Sequence, residues 1–176
     1  MKRSTNRILT SHVGSLVRPP EIAALFPDRP AGKPFDANER RVLDKTINEV
    51  LKQQVDAGID IPSDGEFSKS GFAGYIVDRL TGFEPKQGSA PFQRGRDRIR
   101  FADAYADIDS AGSSGRSGVG AQQNIVCAGP VKFVGEALVR EDIDRLKAAM
   151  QAAGVEEAFV PATAPGTIEL QRPNEY

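Results

Sequence analysis

Two short runs carry the side chains whose types and spacing could do chemistry, His12-Val13-Gly14-Ser15 and Asp64-Gly65-Glu66. Gly14 admits a positive φ or a close backbone approach. Ser15 then offers a hydroxyl and an N–H suited to a carboxylate or phosphate oxygen. Asp64 and Glu66 put two carboxylates into a second polar loop. An amino-acid ligand needs an anion-binding nest and a carboxylate facing it, and a strand-end Gly-Ser beside a strand-end Glu on neighbouring parallel strands supplies both. The plainer alternatives are a turn hydroxyl or helix cap for Ser15 and a solvated loop carboxylate for Glu66. Asp64 reads as an N-cap or a supporting acceptor in preference to a catalytic base. His12 is the only histidine, and a hydrogen-bonding role in a pocket stands equal to a satisfied structural role.

These residues need elements that place them. Arg7 to Val13 reads as a first strand, followed by a proline- and glycine-rich loop from Arg18 to Pro34 that holds a short apolar turn at Ile22–Phe26 and is not expected in the core. Asp36 is a good N-cap with Glu39 three residues on, opening a helix that ends before Gly58. Leu43, Ile47, Val50, Leu51 and Val55 recur at the three- and four-residue spacing of one buried stripe. Gly58-Ile59-Asp60-Ile61-Pro62 then gives a strand that runs into the Asp64–Glu66 loop. Helix, glycine stop, apolar strand and polar loop in that order make one unit of a parallel α/β sheet, where ligands bind at the strands' C-terminal ends.

A short helix is expected through Tyr75, Ile76, Val77 and Leu80. An excursion over 84–121 follows, in which Arg94, Arg96, Arg98 and Arg100 alternate as an exposed hairpin or a passage over the sheet, with a flexible Ser/Gly-rich loop from Ser110 to Gly120. The arginines could grip a polyanionic tail, but a solvated charged ribbon is the commoner meaning. Asn124 to Cys127 reads as another strand. Glu141 to Ala153 reads as a second amphipathic helix with Ile143, Leu146 and Met150 inward, and Glu157 to Pro161 as a strand with a loop at 162–167. The expected fold is therefore α/β, a single incomplete (β/α)₈ TIM barrel over 1–176 with roughly the first four βα units, since a full barrel takes about 250 residues.

Composition excludes several classes. The chain has 176 residues, 39% hydrophobic and 27% charged, and a net charge of -1, which leaves no footprint for nucleic acid or anionic lipid. One cysteine, Cys127, rules out an intramolecular disulfide or a Cys-x-x-Cys pair and suits a reducing compartment, so a cytoplasmic location is expected. No apolar run approaches a membrane span.

The runs Ser11–Pro19 and Gly58–Phe67, the Cys127-Ala128-Gly129-Pro130 turn, and Phe159–Ala162 with Pro165–Glu169 together resemble cobalamin-independent methionine synthase, in particular stand-alone homologues of its C-terminal catalytic domain. That resemblance implies a (β/α)₈ barrel that moves a methyl group from 5-methyltetrahydrofolate to the sulfur of homocysteine, with zinc binding the thiol and lowering its pKa. By position, Val13, Gly14 and Ser15 match the segment that holds the amino acid's carboxylate, and Glu66 matches the acceptor of its ammonium. Cys127 falls near a segment that meets the folate's glutamate end, where an expected arginine is absent.

The family's zinc ligands, a His, a Cys, a Glu and a Cys, come from the second half of the barrel, beyond where this sequence stops. With one His and one Cys, no thiolate-rich zinc site can be assembled from the chain alone, so no methyltransferase activity is expected of it by itself. A half-barrel would leave strand edges unpaired, and self-association or pairing with a C-terminal half is expected. Two other readings are a zinc-dependent alkyltransferase for another thiol, such as the coenzyme M transferases, and a non-catalytic binding or assembly module.

Overall fold

A computed structural model describes residues 1–26, 29, 33–86, 96–104, 106, 124–170 and 173–176. Its elements are α1 (Pro20–Ala23), α2 (Ala37–Asp56), α3 (Phe72–Val77), β1 (Phe83–Lys86), α4 (Arg96–Arg100), β2 (Asn124–Cys127), α5 (Glu136–Ala153) and α6 (Pro165–Leu170). Helices and strands mix along the chain as an α/β domain.

The helix α2 starts and ends where its sequence dictates. Asp36 accepts from the N–H groups of Asn38 and Glu39 while Glu39 reaches back to the Asp36 N–H, so a full capping box closes its first turn. Gly58, at φ 85, lets the chain leave the helix. The stripe Leu43, Ile47, Val50 and Leu51 is buried, and with Ile22, Phe67, Leu146 and Ala149 it forms the core. Burial of such side chains is the main force holding the elements together, at about 1.5–3 kcal/mol each.

The helix α5 packs on α2. Arg40 pairs with Glu141 at 3.1 Å and Asp44 with Arg145 at 2.7 Å. Since 40 meets 141 and 44 meets 145, the two helices lie side by side and run in the same direction. The expected second helix is thus present but begins five residues earlier, at Glu136. Its inward face is Asp142, Leu146 and Ala149, with Met150 partly buried against the core, whereas Ile143 points out at 39% exposure. Asp142 takes the inward position because Arg79 reaches it at 2.8 Å, so the ion pair and not hydrophobicity sets the rotation of that turn.

Short parallel contacts join the extended segments. Ser11 bridges Ile61, and Ser63 bridges Phe159, both in parallel sense. Asp60 ties the first two segments together by accepting from Thr10 N at 2.9 Å, Thr10 Oγ1 at 3.1 Å and the Arg7 guanidinium. Buried Gln54 of α2 donates to Ser63 O and accepts from Ser63 N, clamping the second segment onto the helix. The segments expected as strands at Arg7–Val13 and Glu157–Pro161 form single bridges instead of longer ladders.

The two named strands differ from expectation. Asn124–Cys127 is a strand, but it pairs antiparallel with Phe83–Lys86, in the register Phe83↔Cys127 and Lys86↔Asn124. The chain leaves from β1 and returns at β2, so the two ends of one long connection meet head to tail, which is antiparallel pairing. At Gly82, φ 84, an added Cβ would fall 2.5 Å from Gly129 O and 2.8 Å from Pro130 O, so only glycine fits this entry to β1. Arg96–Arg100 is a helical turn, not part of a hairpin, closed by Phe101 N donating to Asp97 O at 2.8 Å. Arg94 and the Ser110–Gly120 tract lie outside the described residues. Ile22 corrects another expectation: the short helix α1 drives it fully into the core. The 162–167 segment ends in α6 and not only a loop.

Candidate functional site

The loop that follows the second extended segment is buried from Pro62 to Lys69. Such burial of polar residues is stable only when each finds a partner, and nearly all do. Gly65 N donates to Ser63 Oγ at 3.2 Å, and Glu66 N donates to Asp64 Oδ1 at 2.9 Å. Asp64 Oδ2 accepts from Lys69 Nζ at 2.8 Å, an ion pair whose side chains are 2% and 1% exposed. Ser68 Oγ is buried with no partner among the described residues.

Gly65 and Glu66 are successive left-handed residues, at φ 66 and φ 62. Glu66 is the only non-glycine at positive φ among the described residues. That conformation costs about 1–2 kcal/mol for a residue with a Cβ, and such outliers gather at binding sites. The turn aims the Glu66 carboxylate at the first loop, where Ser15 Oγ donates to Oε2 at 2.5 Å. Oε1 makes no hydrogen bond among the described residues. Leu16 N donates to Gly65 O at 3.2 Å, locking the two loops side by side.

Gly14 adopts φ 109 with open space where a Cβ would stand. The N–H groups of Val13, Gly14 and Ser15 make no hydrogen bond among the described residues, and the Val13 side chain is exposed. The structure therefore brings Val13, Gly14 and Ser15 together with Glu66, and it places Asp64 beneath Glu66 with both carboxylate oxygens engaged inside the loop. His12 is half-buried, and its Nε2 has no partner among the described residues. Cys127 sits in β2 with its thiol toward Gly129 O at 3.6 Å, and no described contact joins it to the Ser15–Glu66 pair.

Two residues at this site were not singled out from sequence. Arg18 donates through Nη2 to Lys69 O at 2.6 Å and to Glu66 O at 3.5 Å, and its guanidinium lies over the Phe26 ring. Burial pushes the Arg18 guanidinium below its ordinary pKa, while the nearby Glu66 carboxylate pulls the other way. Lys69 is the second. A lysine between two serines carries no mark of burial, and lysine is almost never fully buried unless paired. Its partner Asp64, five residues earlier, was the available signal.

Among the described residues no group of three or more His, Cys, Asp or Glu could hold a metal ion. No helix among them is long and apolar enough to cross a membrane.

The polar loops follow extended segments in parallel contact, one carrying backbone N–H groups and the other a buried carboxylate, which is where α/β folds place binding sites. Residues 8–167 match the family described as cobalamin-independent synthase, catalytic domain, and the chain belongs to that family. It is similar to a methionine synthase of Pyrococcus furiosus, 36% identical over 76 residues, covering 43% of this chain and 22% of the relative. Methionine synthases of Sulfurisphaera tokodaii and Saccharolobus islandicus are 31% and 29% identical over 75 residues, covering 43% of this chain. The matched stretch spans less than a quarter of the relatives' own length.

Proposed function

We propose that this chain carries the amino-acid-binding part of a methyl transfer site and that its ligand is a thiol amino acid, homocysteine. The observation that carries this is the contact of Ser15 with Glu66, which sets a hydroxyl and N–H groups without a hydrogen bond among the described residues on one loop against a carboxylate on the next. An α-amino acid has poles of opposite sign on one carbon. Its carboxylate would take the N–H groups of Gly14 and Ser15 and the Ser15 hydroxyl, and its ammonium would take the Glu66 carboxylate. Ser15 Oγ then leaves Glu66 Oε2 for the ligand, so the ligand exchanges for an internal hydrogen bond and does not find an empty cleft. The partly buried setting strengthens each of these contacts over its value in water.

In this reading the fold is a partial (β/α)₈ barrel. Three extended segments in parallel contact, and two helices that flank them and run the same way, are what successive βα units of a barrel provide. In the family, zinc would activate the thiol and 5-methyltetrahydrofolate would donate the methyl. The residues present do not fit that zinc: the sequence holds one His and one Cys, and the described residues gather no ligand group. What these 176 residues supply is therefore binding and alignment. Ligands for a zinc would have to come from other residues, either a C-terminal half or a second chain.

Calorimetry with L-homocysteine and with 2-mercaptoethanesulfonate, a thiol with an anionic sulfonate but no ammonium, tests the reading. Homocysteine is expected to bind the more tightly, and Glu66→Gln to weaken it by tenfold or more. Equal binding of both thiols, or homocysteine binding indifferent to Glu66→Gln, would instead favour the alternative of a transferase acting on another thiol. Absence of binding by both would leave the non-catalytic module.

A further inference from the structure

We infer that Lys69 is the positioning residue that holds Glu66 ready for an ammonium, acting through Asp64. This rests on the reading of Glu66 as the ammonium's acceptor. Glu66 cannot hold its left-handed conformation for nothing, since φ 62 is unfavourable for a residue with a Cβ. The bond that fixes it is local: Glu66 N donates to Asp64 Oδ1 at 2.9 Å. A carboxylate free to rotate could not hold that geometry, and Asp64 is not free. Lys69 Nζ lies 2.8 Å from the other oxygen, Oδ2, and both side chains are almost wholly buried. The cation thus orients one oxygen and thereby leaves the other facing the Glu66 amide.

The lysine itself is fixed from three sides. Its N–H donates to Glu66 O at 3.2 Å, its carbonyl accepts from Arg18 at 2.6 Å, and its ammonium lies 5.5 Å from the centre of the Tyr75 ring. Lys69, Asp64 and Glu66 therefore close a ring of contacts in which the lysine meets Glu66 through its backbone and through Asp64. The buried lysine also pairs with Asp64, so that among the described residues Glu66 is the one carboxylate of the pair with an unengaged oxygen to offer an incoming cation.

The test uses the full 176-residue chain and two readouts, amide hydrogen exchange at Glu66 and affinity for L-homocysteine against 4-mercaptobutanoate, the same thiol acid without its amine. In Lys69→Met, Glu66 amide exchange is expected to quicken by tenfold or more relative to amides in the middle of α2. Homocysteine affinity should fall about tenfold, with 4-mercaptobutanoate changed less than twofold. Lys69→Arg, which keeps the cation, should recover most of both losses. Unchanged Glu66 exchange in folded Lys69→Met, equal weakening of both ligands, or an arginine variant no better than methionine would each overturn the inference. Should Lys69→Met fail to fold, Asp64→Asn breaks the same link while keeping shape, and the same two outcomes decide. If the wild-type chain binds neither thiol, the amino-acid reading has failed, while the exchange measurement still decides whether Lys69 fixes Glu66.

Discussion

Ser15 and Glu66, fifty-one residues apart in sequence, share a 2.5 Å hydrogen bond in which the serine hydroxyl donates to the carboxylate. Hydrogen bonds to charged groups contribute about 1.5–3 kcal/mol when partly shielded from water. Ser15→Ala should therefore destabilise the chain by about that amount in urea unfolding, and by much less in a Glu66→Ala background. Affinity for homocysteine should respond differently: Ser15→Ala loses a ligand contact but also the internal bond that the ligand must displace. Its effect on binding is expected to be several-fold smaller than that of Glu66→Gln, and a reverse ranking would show that the serine does not exchange partners.

Purified chain, incubated with zinc, homocysteine and 5-methyltetrahydrofolate, is expected to give no methylated thiol, because a single cysteine cannot build a thiolate-rich zinc site and the described residues gather no group of three His, Cys, Asp or Glu. Mass spectrometry of the thiol decides it. A methylated product above the enzyme-free control would mean that ligands are being recruited from a second copy or from carboxylates.

Removing the cap of α2 tests how far that helix supports the fold. Asp36 accepts two helix N–H groups and Glu39 returns the bond, so Asp36→Ala should cost about 1 kcal/mol. A loss below a few tenths in chemical denaturation would mean that the first turn frays without consequence.

Ile22 comes from a four-residue helix in a loop otherwise rich in proline, yet it is fully buried against Leu43, Ile47 and their neighbours. Ile22→Ala should cost about 2–5 kcal/mol, far more than a surface loop position. An effect under 1 kcal/mol would show that the segment's packing contributes little.

Asp60 sets the acid side of the stability profile. Hydrogen bonds from Arg7, then from Thr10, hold its carboxyl far below its ordinary value of 3.8. A carboxyl whose pKa falls on folding contributes stability that is complete above its unfolded pKa and is lost as pH falls through the folded one. Asp60→Asn should therefore be less stable than wild type at pH 7, with the gap closing only as pH drops below about 4. A gap that stays constant down to strongly acid pH would contradict the assignment.

Residue order alone was enough for α2. Its cap, its stripe and its glycine stop are all written between Asp36 and Gly58, because helix spacing converts directly into one buried face. Pairing of the His12–Ser15 run with the Asp64–Glu66 run was also legible, since glycine, serine and acidic residues after apolar segments mark polar ends of an α/β sheet. The family was legible through the same residues. What sequence could not reveal were choices that depend on a distant partner. Ile143 faces out and Asp142 faces in because Arg79 comes from another element to meet the aspartate. Asn124–Cys127 pairs antiparallel because it returns beside Phe83–Lys86. Lys69 is buried because Asp64 waits for it, and Glu66 bends to positive φ because Asp64, so held, accepts its amide. Periodicity reports which face of a segment avoids water, but the identity of the group on the other side is a property of tertiary contact, and at this site that contact decides which carboxylate remains free.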